Sequence, residues 1–123
     1  MNFLAVFIGG GLGAVARYVL YLVMPSYAYL PMATLTANFF GCFIATVVFS
    51  FIALKTGLNP AFKVFLITGF CGGLSTLSAL SLEMLQFIHS GNYLRAAVYV
   101  ISTVIVCTIA VLLGLLLIKN NFS

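Results

Sequence analysis

Charge is what this sequence lacks most. Only 5% of its 123 residues are charged, and Glu83 is the single acid. Soluble domains carry about 25% charged residues, and a water-soluble fold with so few would expose large apolar patches and aggregate. One carboxylate makes no carboxylate pair, and the sequence has no nucleophile–base pair, which argues against an enzyme. Histidine is also scarce: His89 stands alone in a polar connection, and no Cys/His pair has metal-ligand spacing. The three cysteines, Cys42, Cys71 and Cys107, each lie inside an apolar stretch and read as small core residues, not as a disulfide framework. The five cations Arg17, Lys55, Lys63, Arg95 and Lys119 give a net charge of +4, but they are scattered, and a nucleic-acid footprint needs a clustered basic face. The apolar N-terminus lacks a basic leader and a small-residue cleavage site, so it is expected to be a mature helix and not a signal peptide.

What is present is hydrocarbon: 64% of the residues are hydrophobic. A spanning helix needs about 20 apolar residues, and four stretches qualify, at about 3–24, 33–54, 61–88 and 93–118. The breaks carry turn residues. PSYAYLP at 25–31 holds Tyr27 and Tyr29, which suit a membrane interface. KTGLNP at 55–60 ends on Pro60, placed to start a helix. HSGN at 89–92 is a third tight connection. Connections this short make neighbouring helices antiparallel. Both termini then share a side with Lys55, Lys63 and Lys119, against Arg95 and Arg17 on the other. Three cations against two is a weak bias under the positive-inside rule. Two readings follow: one fixed orientation, or insertion both ways with head-to-tail pairing.

The third span is the most informative. Its middle reads TGFCGGLSTLSALSLE at 68–83. Paired glycines disfavour helix by about 1 kcal/mol each, and hydroxyl residues directly after them form N-caps. The pattern predicts one half-helix ending near Gly72 and another starting near Ser75. Irregular backbone survives at membrane depth only when it is buried in protein or faces a cavity. Half-helix ends offer carbonyls to cations and N–H groups to anions. The alternative is a glycine-lined close contact between intact helices.

Other polar groups lie within the spans. Arg17 is costly in lipid unless it reaches water or a partner, and it reads as a snorkelling anchor or as a cation in a wet vestibule. Asn38, one turn after Thr34 and Thr36, is helix–helix glue or a donor on an ion path. Glu83 is an ion-coupling acid, a helix-terminus charge or a partner for a cation. Tyr99 and Thr103 share a helix face, and Ser102 and Thr108 add hydroxyls. GGGLGA at 9–14 mimics a dinucleotide loop, but no strand precedes it and no acid follows about 20 residues on. Gly9 and Gly13 instead have the spacing of tight helix packing.

GGGLGAVARY at 9–18, TLTANFFG at 34–41, TGFCGGLSTLSALSLE at 68–83 and GNY at 91–93 together resemble the small fluoride channels called Fluc, or CrcB. The resemblance implies an all-α membrane protein of four helices with the third broken, paired as an antiparallel, dual-topology homodimer in a bacterial inner membrane. It also implies two fluoride pores for passive fluoride export, and a structural sodium ion at the dimer axis. That sodium would be held by backbone carbonyls at Gly72 and Ser75. The implied fluoride pathway comprises Arg17, Asn38, Leu77, Ser78, Leu80, Ser81, Tyr99 and Thr103, with Glu83 as an associated acid. The sequence departs from the family at three positions. Leu77 and Leu80 stand where two phenylalanines usually present ring edges to the anion, and Ala79 replaces a hydroxyl residue. Phe39, Phe40 or Phe43 would supply the rings, or a paralogous partner would in a heterodimer, or the pore is impaired or retuned. A small four-helix multidrug or cation exporter is the nearest rival, but those depend on an acid in the first helix, and this first helix has none.

Overall fold

A computed structural model describes residues 1–25, 29–54 and 57–122. Among them every regular element is helical. Helix α1 runs Asn2–Val23 and α2 runs Met32–Leu54. The third span is segmented into α3 (Pro60–Val64), a π-helical stretch Phe65–Cys71, α4 (Gly72–Leu74) and, after an interruption, α5 (Leu77–His89). Helix α6 runs Tyr93–Phe122. Four helical stretches are long and apolar enough to cross a membrane, at Asn2–Val23, Met32–Leu54, Pro60–His89 and Tyr93–Asn121. These limits lie close to those expected from hydropathy. Tyr27 and Lys55, to which the sequence assigned an interface and a topology role, lie outside the described residues.

The starts and stops follow local chemistry. The Asn59 side chain accepts the Ala61 N–H at 2.9 Å, and Pro60 opens α3 where a missing N–H costs nothing. At the end of α5, Gly91 takes φ 74°, a left-handed conformation suited to glycine. This lets Asn92 N–H donate to the Phe87 carbonyl at 2.8 Å.

Packing is inside out relative to a soluble protein. Phe3, Phe7, Tyr18 and Leu112 are exposed, as expected when lipid is the solvent. The interior is small: Leu35, Leu80 and Tyr99, flanked by Leu30, Phe87 and Val106. Much of the remaining contact is backbone on backbone. A Cβ on Gly9 would lie 2.3 Å from the Phe65 carbonyl oxygen, and one on Gly13 would lie 2.2 Å from that of Phe70. From the other side, a Cβ on Gly73 would meet the Gly10 oxygen at 2.4 Å. Helix α1 and the first half of the third span therefore touch along glycines of both partners. Without a hydrophobic drive between helices in lipid, such close approach is what holds them together. The three cysteines are free thiols, Cys71 buried and Cys42 and Cys107 half-buried.

The interruption lies later than the sequence suggests. The helix does not end at Gly72. It continues through Leu74, the chain is extended at Ser75 (φ −79°, ψ 146°) and Thr76 (φ −153°, ψ 127°), and α5 begins at Leu77 and not at Ser75. The glycines stay helical because their missing side chains admit α1. The helix breaks where hydroxyls and an amide can replace its hydrogen bonds. Close helix contact and a broken helix, posed as alternatives by the sequence, are both present.

Candidate functional site

The site is built around the break. Asn38, buried on α2, faces Thr76: its Oδ1 accepts the Thr76 N–H at 2.7 Å, and its Nδ2 donates to the Thr76 carbonyl at 3.5 Å. The amide thus pairs with both polar groups of one extended residue. Gly41, one turn on, makes room, since a Cβ there would lie 2.8 Å from Ser75 Cβ. Thr76 caps α5, its Oγ1 accepting the Ala79 N–H at 3.2 Å. Ser75 Oγ donates back to the Cys71 carbonyl at 2.8 Å. The carbonyls of Gly72 through Ser75 lose their usual helical donors at the break, and for two of them the diversion is direct. A continued helix would send Thr76 N–H to Gly72 and Ala79 N–H to Ser75, but Asn38 and Thr76 Oγ1 take those protons instead.

Arg17, half-buried on α1, reaches the same region and donates from Nε to the Gly73 carbonyl at 3.3 Å. A guanidinium at the C-terminal end of a half-helix complements its partial negative charge.

Nearly two turns into α5, Glu83 accepts the Thr34 hydroxyl at 2.8 Å on one oxygen and the Tyr99 hydroxyl on the other. Tyr99 is fully buried, with the Phe87 ring edge-on at 5.9 Å. The only acid in the chain is therefore tied to two hydroxyls from two other helices, and a carboxylate in apolar surroundings needs such donors.

The remaining pathway candidates divide. Leu77, Leu80 and Thr103 line one groove of about 470 Å³ between α5 and α6, with Val104 and Cys107 beside them. Leu77 is 75% exposed, whereas Leu80 is 7% exposed and belongs to the core. Thr103 Oγ1 donates to the Tyr99 carbonyl at 2.8 Å, and Ser81 Oγ to the Leu77 carbonyl at 2.9 Å. Ser78 Oγ pairs with Thr76 Oγ1 at 2.9 Å. Arg17 does not line this groove, and neither do Phe39, Phe40 and Phe43. Those rings pack on each other along α2, Phe39 edge-on to Phe40 at 5.4 Å and stacked on Phe43 at 6.2 Å.

The chain matches known proteins over most of its length. The profile described as CrcB-like protein, Camphor Resistance (CrcB), matches residues 4–115. The chain belongs to the CrcB family. Among its relatives is a fluoride-specific ion channel FluC of Escherichia coli K12, 44% identical over 91 residues, covering 73% of this chain and 72% of that one. Another, FluC of Pyrococcus abyssi, is 38% identical over 117 residues and covers 95% of each. FluC 1 of Yersinia pestis is 39% identical over 121 residues, covering 98% of this chain and 94% of its own. Placed in the CrcB family, the chain is a multi-pass membrane protein and a channel, not an enzyme.

Two residues that matter here escaped the sequence reading. Thr76 was one hydroxyl among several, and its part as the residue Asn38 engages depends on which helix lies opposite. Thr34 stands one turn before Asn38, so the shared face was visible, but its acceptor on α5 was not.

Proposed function

We infer that this chain is the subunit of a fluoride channel that lets fluoride leave the cell passively. The interruption at Ser75–Thr76, inside a spanning helix of a CrcB-family chain, carries this reading. Fluoride is small and strongly hydrated, so a pore must replace its water with donors in steps, each site weak enough to release the ion. Arg17, Asn38, Ser78, Ser81, Tyr99 and Thr103 are the assigned pathway residues, with Leu77 and Leu80 as the apolar wall. The Ser81 and Thr103 protons, held within the chain by the Leu77 and Tyr99 carbonyls, would have to turn to the ion as it passes. Asn38 has one amide N–H beyond the one it gives Thr76. Arg17 adds positive charge at the break.

A second copy completes the pore. Gly72, Leu77, Ser78 and Ser81 are exposed on the single chain although they flank irregular backbone at membrane depth, and lipid cannot satisfy such groups. Antiparallel pairing of two copies with opposite orientations is supported by the weak cation bias between the two sides, three against two. A structural sodium ion would be held by the Gly72 and Ser75 carbonyls, which fits the diversion of both their helical donors to side chains. When bound it supplies a fixed positive charge between two pores. Purified protein in liposomes, read with a fluoride electrode, is expected to release fluoride down its gradient while retaining chloride. Absence of efflux, alone or with a paralogue, overturns the reading. Purification in sodium-free buffer is expected to loosen the dimer.

One observation favours a heterodimer as a second reading: among the described residues, no phenylalanine lines the groove of Leu77 and Leu80. A paralogue would then contribute the rings. Fluoride efflux only on co-expression with that paralogue distinguishes the two forms. The exporter is set aside by the family.

A further inference from the structure

At the end of the bundle that carries the connection between α1 and α2 lies a second cavity, of about 360 Å³. Tyr21, Met24, Leu30 and Met32 line one part of it, and Ala79, Glu83 and Gln86 of α5 line another. It reaches the carboxylate that Thr34 and Tyr99 hold. Among the described residues its lining contains two formally charged ones, Glu83 and Arg95. Arg95 is held firmly. Its guanidinium stacks 4.7 Å from the Tyr29 ring centroid and 4.6 Å from that of Phe87, and its Nε donates to the Tyr29 carbonyl. Cation–π contacts on two rings hold the guanidinium in place at the cavity wall. A carboxylate alone in this cavity would repel fluoride, and Arg95 offsets it. Arg17, tied to Gly73 at the break, does not line the cavity.

We propose that Arg95 is the rate-setting cation of this pore mouth, cancelling the field of Glu83 so that fluoride is not repelled before it reaches the hydroxyl-lined interior. The inference rests on the channel reading. Replacing the arginine leaves the cavity with a net negative charge. Entry should then slow most where screening is weakest, since the Debye length is about 30 Å at 0.01 M ionic strength and about 3 Å at 1 M. The experiment is fluoride efflux from proteoliposomes across that range of ionic strength, set with an impermeant salt, for the unaltered chain, Arg95→Gln and Arg95→Lys. Arg95→Gln is expected to lower the rate about tenfold at low ionic strength, with the gap closing at high ionic strength, and Arg95→Lys to stay near the unaltered rate. A second arm separates charge from folding. Arg95→Cys, already folded in liposomes, is modified with a cationic or an anionic thiosulfonate, the unaltered chain serving as control for its own cysteines. The cationic adduct should restore flux and the anionic one should lower it further. No flux from the unaltered chain overturns the channel reading and this proposal with it. Flux from the unaltered chain that Arg95→Gln matches at every ionic strength overturns the role of Arg95 alone. So does a loss that ionic strength and adduct sign do not alter.

Discussion

The two halves of the third span obey different rules. The first half, Pro60 to Leu74, is joined to α1 through glycines with no room for a methyl group at Gly9, Gly13 or Gly73. The second half, α5, begins with an exposed leucine and two exposed serines, and it touches the rest chiefly through α6 and the Asn38 and Glu83 hydrogen bonds. In lipid, helices are held by close contact or by polar bonds, since burial of oil in oil contributes nothing. This chain uses contact for the half that must stay put and polar bonds for the half that borders the proposed path.

That contrast can be broken by crowding the first half. Gly13→Val puts carbon where the Phe70 carbonyl lies 2.2 Å away, and the expected loss is about 3 kcal/mol or more. Thermal unfolding in detergent should show it, and a variant as stable as the parent means the two backbones are not in contact. The polar half is tested next. Asn38→Ala strands the Thr76 N–H and carbonyl away from water, costing about 1–3 kcal/mol and abolishing efflux. Asn38→Asp keeps an acceptor for the Thr76 N–H but loses the amide donor. It should therefore fold and still conduct poorly, and normal conduction by it would remove Asn38 from the pathway.

The two leucines sharpen the comparison within α5. Leu80→Phe enlarges a core side chain that is 7% exposed, at an expected cost of about 1–3 kcal/mol. Leu77→Phe, at a position 75% exposed, should shift stability by under about 0.5 kcal/mol. If ring edges assist the anion, Leu77→Phe raises flux at no cost in melting temperature; equal costs for both leucines contradict the placement of Leu80. The smallest effect belongs to Ser81→Ala. Its hydroxyl only returns to the Leu77 carbonyl, so stability should move by under about 0.5 kcal/mol. Any larger change in efflux then reports on the pathway and not on the fold.

Much of the architecture was legible because the bilayer has a fixed thickness. Twenty apolar residues between Pro, Gly and Asn clusters leave little choice about where α1, α2 and α6 begin and end. The break was legible as a region and not as a residue. Glycine weakens a helix on average, but at Gly72 and Gly73 the neighbouring helix turns that weakness into contact, and the interruption moves on to Ser75 and Thr76. The pairing of Gly9 and Gly13 with the third span, the two hydroxyls on Glu83 and the ring clamp on Arg95 each join residues far apart in the chain. No periodicity encodes them.

By itself the sequence determined that this protein lives in a membrane, crosses it four times and interrupts its third crossing, because hydropathy and backbone preference are properties of short segments. The tertiary structure alone decided which polar group satisfies which. Asn38 serves Thr76, Arg17 serves Gly73, and Thr34 and Tyr99 serve Glu83. A hydrogen bond needs its partners within about 3 Å, and only the packing of four helices brings such distant residues that close.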